Sequence, residues 1–418
     1  MRFLRQRELD PLLLGSPLRN TAVALTISAW LLVSLAAVAV TLLAFLGSLR
    51  DDVTDVFIAA LALSTVMSSV PWTILWYLDR RERETPWLFV AAFLWGAFMA
   101  TGLALPVNGA LLSNVARWVE HNPFALEILG PEAPMLLGAP LAAPLVEEVT
   151  KGLGLLLLFF LLRAEFDNMR DGIVYGALIG LGFTWFEAPL YVAQEYAQYG
   201  VAPWGEQLGS RYALFGLGGH AMYTAILGAS LGVAVQTRRR WLKVVAPLFG
   251  LAAAIGAHAV NNALPLLAAI QGAASGEPPP VSAGPSEIGF VAAWLEASVL
   301  ELTVFLPFVL LMSLALWRSG AWERRVINEE LATEVGVTVS PTEYEQILRD
   351  RMFRTRRVDR LRPALSAAIV NAQNELAFRK RRVRDEGHDP ERDRLVAAWR
   401  EEIRLLREFE PQRARRDP

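Results

Sequence analysis

Residues 143–154 read APLVEEVTKGLG, which places two glutamates and a lysine inside an otherwise apolar stretch. An ionisable side chain inside a membrane helix costs roughly 2.5–3.5 kcal/mol on insertion scales, so a functional role is the first hypothesis for such a group. Lys151 follows Glu147 by four residues and Glu148 by three, so on a helix it can reach either carboxylate. These three residues form either a structural ion pair or part of a reaction centre, and the rest of the chain has to decide between the two.

The composition indicates a membrane protein. The chain has 418 residues, of which 54% are hydrophobic, and its mean hydropathy is +0.33; an average soluble domain is less apolar. There is no cysteine in the sequence, which excludes disulfides, thiol nucleophiles and cysteine-ligated metals. Residues 1–20 lack the pattern of a cleavable signal peptide, so we expect the first apolar segment to be retained as a membrane helix.

Eight apolar runs are long enough to cross the hydrocarbon core, which needs about 20 residues. They cover residues 21–48, 55–78, 86–110, 137–162, 171–195, 212–236, 241–271 and 290–317. Basic residues are concentrated before the first run and after the second, fourth, sixth and eighth runs. By the positive-inside rule, this alternation predicts that both termini are cytoplasmic. The sequence therefore predicts an all-α polytopic membrane helix bundle of about eight transmembrane helices. Together with the lack of cysteine, this fits a bacterial cytoplasmic membrane.

The composition also predicts three parts of the chain. Residues 1–20 form a cytoplasmic N-terminal segment, residues 21–318 a transmembrane domain with its core at 137–271, and residues 319–418 a charged helical cytoplasmic tail. In the tail, apolar residues recur at helical spacing among charges of both signs. Because acidic residues are interspersed with the arginines, the pattern favours solvated helices that regulate or bind a protein partner over nucleic-acid binding.

Polar side chains occur in four consecutive membrane runs. They are Glu147, Glu148 and Lys151 in the fourth run, Glu187 in the fifth beside Phe183, His220 with Thr224 in the sixth, and His258 with Asn262 in the seventh. The last three pairs are each spaced by four residues, which puts both members on one helical face. At about 1.5 Å per residue, the polar groups of all four helices fall at a similar depth, in the middle to outer half of the bilayer. This common depth predicts a shared polar cavity.

Each of these residues also has a structural interpretation. The glutamates and Lys151 could form an ion pair between packed helices, and a membrane histidine often makes only an interhelical hydrogen bond. Asn262 precedes Pro265 and could satisfy a kinked backbone. Glu301, in the eighth run, could lie at the outer interface or contribute to the cavity.

The ordered motifs resemble those of a known family. Glu147-Glu148-x-x-Lys151, Phe183-x-x-x-Glu187 and His258-x-x-x-Asn262, with His220 between them, resemble the PrsW family of bacterial intramembrane proteases, a distant relative of the CAAX prenyl proteases and the bacteriocin-immunity-type membrane proteins. The resemblance covers residues 137–271. It implies cleavage of a membrane-anchored protein or peptide near the outer face, with the paired glutamates as the catalytic centre and the histidines and asparagine in support.

Hydrolysis of a peptide bond needs an activated water, a stabilised oxyanion and a proton for the leaving amine. The candidate catalytic residues are Glu147, Glu148, Glu187, His220, His258 and Asn262, with Lys151 and Phe183 as supporting residues. One glutamate of the pair would act as the general base while the other, with Glu187, orients the water or carries the proton. His258 and Asn262 would donate hydrogen bonds to the oxyanion, with His220 as a second candidate. This mechanism needs no cofactor.

Three alternatives remain: a metal-dependent mechanism, a transporter, and a catalytically inactive scaffold whose cytoplasmic tail recruits partners. Glu148, Glu187, His220 and His258 offer enough nitrogen and oxygen ligands to hold Zn²⁺ with an open position for water, although the sequence has no His-Glu-x-x-His pair. A different class of function, an ion- or proton-coupled transporter, would also place ionisable residues inside the membrane. No inverted repeat relates the two halves of the sequence, which is unlike many transporters.

Overall fold

The computed structural model describes residues 16–48, 50–81, 86–162, 166, 168–279, 288–350, 358 and 361–413. Within these ranges every regular element is a helix, and the isolated bridge between Val335 and Val339 is the only extended pairing. The all-α prediction is therefore confirmed. Most of the predicted N-terminal segment and the last five residues of the tail lie outside the described residues.

The helices follow the apolar runs of the sequence. In chain order they are α1 (Thr21–Gly47), α2 (Asp51–Leu78), α3 (Pro86–Glu120), α4 (Pro123–Leu129), α5 (Ala133–Leu141), α6 (Ala143–Leu161), α7 (Met169–Tyr199), α8 (Trp204–Gly216), α9 (Gly219–Gln236), α10 (Leu242–Ala274), α11 (Phe290–Val304), α12 (Leu306–Ala332), α13 (Pro341–Leu348), α14 (Pro363–Asp385) and α15 (Arg394–Arg413). Each of the eight predicted runs falls on one helix or on two consecutive ones.

Five helices in the described part of the chain are long and apolar enough to cross a membrane, namely α1, α2, α3, α7 and α10. The number rises to seven if α8 with α9 and α11 with α12 each form one bent span. The predicted number of about eight also counts α6, a helix of 19 residues. Its three ionisable residues, Glu147, Glu148 and Lys151, lie within five consecutive positions of the helix. The chain is thus an integral membrane protein, and the cytoplasmic location of its termini stays a prediction.

Helix α7 lies at the centre of the membrane unit, which comprises the described residues of 1–77 and 85–312. In its most apolar stretch of 18 residues, 94% of the residues are buried. Gly172, Gly176 and Gly180 recur every four residues on the face that packs against α9. A Cβ atom at Gly176 would lie 2.5 Å from the carbonyl oxygen of Thr224, and one at Gly180 would lie 2.1 Å from that of His220. Small residues at this spacing let membrane helices approach through their backbones. The close contact fixes the start of α9 beside the middle of α7.

Helix α3 packs against both α7 and α6. A π-helical turn, Trp95–Ala100, interrupts it, and a Cβ atom at Gly96 would lie 1.8 Å from the carbonyl oxygen of Ile179 in α7. On the other side, the indole Nε1 of Trp95 donates a hydrogen bond to the carbonyl oxygen of Thr150 in α6, at 3.0 Å. The π turn therefore holds α6, which carries the paired glutamates, next to α7.

The helical backbone is interrupted in the last turn of α8, shortly before α9 begins. Leu214 and Phe215 have φ values of 51° and 58°, the only positive φ angles among the described non-glycine residues, and such a conformation costs free energy in an L-residue. Helix α11 satisfies the interrupted backbone because Ser298 Oγ accepts a hydrogen bond from the Leu214 N–H and Trp294 Nε1 donates one to the carbonyl oxygen of Tyr212, both at 3.0 Å. The break ends directly before His220.

Residues 78–84 and 313–418 form a second compact unit. Its hydrophobic core includes Leu331 and Leu376, and its buried Glu334 accepts hydrogen bonds from Lys380 and Arg400. Burial alone would raise the pKa of Glu334, but these two cations hold it below its ordinary value. The predicted division of the chain at residue 318 and the regulatory role of the tail stay predictions.

Candidate active site

Four helices of the membrane unit bring the candidate residues into one network. Helix α6 contributes three residues, α7 and α9 two each, and α10 one, namely Glu147, Glu148, Lys151, Phe183, Glu187, His220, Thr224 and His258. All eight side chains are buried. Of the residues predicted as catalytic or supporting, only Asn262 lies outside the network of contacts in the described chain.

Lys151 lies at the centre of the network and is fully buried. Its Nζ atom is 2.8 Å from Glu148 Oε1, 2.8 Å from His220 Nδ1 and 3.4 Å from Glu147 Oε2. It also lies 3.9 Å from the centroid of the Phe183 ring, within the range of a cation–π interaction. Since an ammonium group has three hydrogens to donate, these three acceptors satisfy it completely. The side chain therefore holds both glutamates and His220 together.

The contacts of His220 define its tautomer. Because Lys151 can only donate, His220 Nδ1 accepts, and Nε2 carries the proton that is donated to Glu187 Oε2 at 2.9 Å. The same carboxylate oxygen of Glu187 accepts a hydrogen bond from Arg211 Nη1 at 2.7 Å, and the Arg211 guanidinium lies over the ring of Tyr191 at 4.4 Å. Glu187 therefore orients His220, and Arg211 compensates its charge.

His258 has the complementary arrangement. Its Nδ1 atom is 3.1 Å from Glu148 Oε1, so a proton on Nδ1 bonds to the carboxylate and leaves Nε2 with a lone pair, 4.0 Å from Glu147 Oε2. The second oxygen of Glu148 accepts a hydrogen bond from Thr224 Oγ1 at 3.1 Å. Glu148 is thus fixed by Lys151, Thr224 and His258. Glu147 Oε2 lies 3.9 Å from His220 Nδ1 and 4.0 Å from His258 Nε2, so it is close to the nitrogen of each ring that is not bonded to a carboxylate.

The asparagine that contacts the site is not the predicted one. Asn262 Nδ2 donates to the carbonyl oxygen of Ala139 in α5 at 3.2 Å, so its catalytic role stays a prediction. Instead, Asn108 Nδ2 in α3 donates to Glu147 Oε1 at 3.1 Å. The sequence analysis did not include Asn108. In the sequence, Asn108 is marked only as an uncharged polar residue near the end of the apolar run 86–110.

Arg211 is the second residue that the sequence analysis missed. It directly precedes the predicted run 212–236. The folded chain pairs it with Glu187, which lies 24 residues earlier. Three carboxylates of the network then face two permanent cations, Lys151 and Arg211, so that with neutral histidines the cluster has a formal charge of −1. A buried cluster of this kind requires a proton or a further cation to become neutral.

The residues fit a divalent metal ion. One ligand atom each from Glu147, His220 and His258 lies within 4.8 Å of the others. Nitrogen and oxygen donors of this kind suit zinc in a catalytic site with an open position. Each histidine also bonds to a carboxylate through its other nitrogen, His220 to Glu187 and His258 to Glu148, an arrangement that fixes ligand histidines in metal sites. The structure thus puts Glu147 in the set of three donors, whereas the predicted ligands Glu148 and Glu187 lie behind the histidine rings.

Comparison with known proteins agrees with this geometry. Residues 84–311, more than half of the chain, match the family model described as PrsW family intramembrane metalloprotease. The chain belongs to the PrsW family. The resemblance predicted from the motifs is therefore confirmed, and the matched region contains every residue of the network. The description of the PrsW family also names a metal, which the sequence analysis held as an alternative.

Two curated proteins named Protease PrsW match parts of the chain. The one from Geobacillus kaustophilus is 33% identical over 115 residues, which is 26% of this chain and 46% of the relative. The one from Oceanobacillus iheyensis is 28% identical over 158 residues, which is 38% of this chain and 61% of the relative. The chain thus spans about half the length of the curated relatives it matches. No solved structure matches it significantly.

Proposed function

We propose that this PrsW-family chain is an intramembrane peptidase that hydrolyses a membrane-anchored protein or peptide near the outer half of the bilayer. The observation that carries the proposal is the arrangement of the two histidines. Each is bonded through one nitrogen to a carboxylate, and the remaining nitrogens of His220 and His258 face Glu147 at 3.9 and 4.0 Å. Polar groups converge in this way on a small volume when they bind and activate a reacting molecule.

Glu147, His220 and His258 are the residues that would hold a divalent metal, and zinc suits this donor set. Such an ion supplies Lewis-acid activation of water and of the scissile carbonyl group. The residues behind the donors act by positioning them. Glu148 keeps the His258 proton on Nδ1, and Glu187 keeps the His220 proton on Nε2, so that each ring presents a lone pair to the centre.

The chain's own residues also provide a path for the proton. Glu147 Oε1 is held by Asn108, while Oε2 faces the histidines. A water molecule bound among these groups would give its proton to Glu147 Oε2. The same carboxylate then returns the proton to the leaving amine nitrogen. The Nζ atom of Lys151 lies 3.4 Å from Glu147 Oε2 and donates a hydrogen bond to it.

The metal-free mechanism predicted from the sequence is the second candidate, and one observation favours it. The Nζ atom of Lys151 contacts two of the three donor groups, Glu147 Oε2 and His220 Nδ1. In that version the ammonium group takes the place of the metal charge, and Glu147 alone activates the water. Both versions require Glu147, and they differ in their response to chelation.

The test is cleavage of a panel of single-span membrane proteins in liposomes by the wild type, Glu147→Gln and Glu296→Gln. Gln keeps size and polarity but neither accepts the proton nor binds a metal well, so Glu147→Gln is expected to abolish cleavage without unfolding the protein. Glu296 is an exposed glutamate of α11, and its variant is expected to cleave like the wild type.

The outcomes separate the candidates. Loss of wild-type cleavage after exhaustive chelation, with recovery on adding zinc, supports the metal version, and cleavage that survives chelation supports the metal-free version. Full activity of Glu147→Gln would contradict both. If the wild type cleaves no protein of the panel but moves protons or ions across the liposome membrane, the transporter alternative is correct.

A further inference from the structure

The two groups predicted to stabilise the oxyanion are occupied in the structure. The Nδ1 hydrogen of His258 is used in the bond to Glu148, and the Asn262 amide contacts α5 and not the network around the histidines. Hydrolysis of a peptide bond depends on donors placed where negative charge develops, since the loss of one such donor lowers kcat by about 10²–10³-fold in well-studied enzymes. A further donor beside the histidines would therefore contribute to catalysis.

Tyr223 borders the site and has an unused donor. It lies three residues after His220 on α9, and its ring stacks on His258 with 5.2 Å between centroids and an interplanar angle of 20°. The ring also meets His220 edge-on at 6.1 Å, and Phe305 packs against it at 5.8 Å. The residue is 1% exposed, so these contacts hold it rigidly beside both histidines.

The hydroxyl group of Tyr223 is buried and has no hydrogen-bond partner among the described residues. A buried hydroxyl without a partner is unfavourable, and a phenylalanine would make the same ring contacts without this cost. The hydroxyl group thus adds no hydrogen bond to the described part of the fold, but it can donate one to a molecule that binds at the site.

We propose that the Tyr223 hydroxyl donates a hydrogen bond to the oxyanion that forms when water attacks the scissile carbonyl carbon. This proposal rests on the proposed peptidase function. The water oxygen bonds to the carbonyl carbon, its proton goes to Glu147, and the π-electron pair moves onto the carbonyl oxygen, which accepts the Tyr223 hydrogen bond. When the pair returns, the carbon–nitrogen bond breaks and the proton on Glu147 passes to the amine nitrogen. Tyr223 keeps its own proton throughout.

The test compares Tyr223→Phe with the wild type in a cleavage assay that resolves kcat from KM, together with thermal unfolding in detergent. We expect kcat to fall about 10²–10³-fold and KM to change less than about threefold, because the hydrogen bond forms only in the transition state. The unfolding temperature is expected to stay the same or to rise, since an unpaired hydroxyl is removed. A phosphonate peptide analogue, whose anionic oxygens imitate the tetrahedral intermediate, should lose affinity by a factor similar to the loss in kcat/KM.

Tyr212→Phe is the matched control. Tyr212 is also a buried tyrosine of the membrane unit, but its hydroxyl is hydrogen-bonded to Ser64 Oγ at 2.6 Å and to Ser68 Oγ at 2.7 Å. Its removal is expected to lower the unfolding temperature and to leave kcat within about twofold of the wild type. The two variants therefore have opposite effects if the proposal is correct.

Three results would overturn the proposal. Wild-type kcat in Tyr223→Phe, with Glu147→Gln inactive, shows that Tyr223 only packs against His258 while the proposed peptidase function stands. A parallel loss of activity and of unfolding temperature in Tyr223→Phe, with unchanged affinity for the phosphonate, assigns the hydroxyl to the fold instead. Activity in both Tyr223→Phe and Glu147→Gln would contradict the proposed function itself, and with it the oxyanion role.

Discussion

The sharpest prediction concerns Lys151→Met, which keeps the length of the side chain and removes its charge. The ammonium group donates to three acceptors, Glu147, Glu148 and His220. Without it, the formal charge of the network changes from −1 to −2, and Arg211 is the only permanent cation left in it. Breaking a buried ion pair by removing one partner costs about 3–5 kcal/mol, because the other charge stays buried without compensation. At roughly 2 °C per kcal/mol for a large domain, the unfolding temperature should fall by about 6–10 °C.

Zinc should reverse most of this loss if the donors bind a metal. Lys151 occupies Glu147 Oε2 and His220 Nδ1, which are two of the candidate ligand groups. In the variant these atoms are free, and a ligand present at 100 times its Kd stabilises the folded state by about 2.7 kcal/mol. In the wild type the ammonium group competes with the metal ion, so the same zinc concentration should stabilise the protein less.

The assay is thermal unfolding in detergent with and without zinc, and Lys380→Met is the matched control. Lys380 is also a buried lysine, 1% exposed, and it bonds to Glu334 in the second unit. Its replacement should destabilise that unit without any rescue by zinc. Equal stabilisation of wild type and Lys151→Met by zinc would refute the competition. An unfolding temperature of metal-free Lys151→Met equal to that of the wild type would refute the charge argument.

Three further predictions test the fold and the surroundings of the site. Gly180→Ala should lower the unfolding temperature, because its Cβ would lie 2.1 Å from a backbone oxygen of α9, whereas Gly256→Ala, with no atom within 4 Å, should not. Asn108→Leu should lower kcat in the cleavage assay about tenfold, because it removes the hydrogen bond to Glu147 Oε1. The second unit should be stable near neutral pH and lose stability below about pH 4.5, as the Glu334 carboxylate is protonated through a folded-state pKa that lies below this ordinary value. Hydrogen exchange of α14 in the full chain at pH 7 and pH 4 measures this loss, and unchanged protection would contradict it.

The sequence predicted the helices and most of the network because both signals are local. Apolar runs define membrane helices through hydropathy, and a spacing of four residues places two side chains on one helical face. Phe183 with Glu187 and His220 with Thr224 follow this rule, and all four lie in the network. The structure also brings the polar groups of four helices together, as their similar predicted depth indicated, while the depth itself stays a prediction.

The residues that the sequence analysis missed depend on contacts between helices. Asn108 and Arg211 reach the network only because α3 lies beside α6 and because the chain breaks before α9. For Tyr223, periodicity indicates an ordinary core aromatic residue, and only the structure reveals its unpaired hydroxyl. Asn262 was placed with the catalytic residues because it follows His258 by four residues; the structure shows its amide bonded to the carbonyl oxygen of Ala139, and its catalytic role stays a prediction.

One missed feature was readable from the sequence. Gly172, Gly176 and Gly180 repeat the small-xxx-small pattern that marks close packing of membrane helices. This pattern predicts that α7 contacts a neighbouring helix through its backbone, which it does with α9. It does not name the partner helix. That choice depends on the order of the helices in the bundle, for which the chain carries no local signal.

The spacing of the charges in α6 links the insertion of this helix to its chemistry. Three unpaired ionisable side chains would cost roughly 7.5–10 kcal/mol to insert, but Lys151 is placed to pair with Glu147 and Glu148 within the same helix, before any other helix has packed. The motif therefore forms an ion pair within α6 before it becomes part of the site. When α9 and α10 pack, their histidines contact groups that are already paired, His220 through Lys151 and His258 through Glu148. If Glu147, His220 and His258 bind a metal ion, the same lysine competes with that ion for Glu147 and His220. The ion pair that lets α6 enter the membrane would then also lower the affinity of the site for the metal.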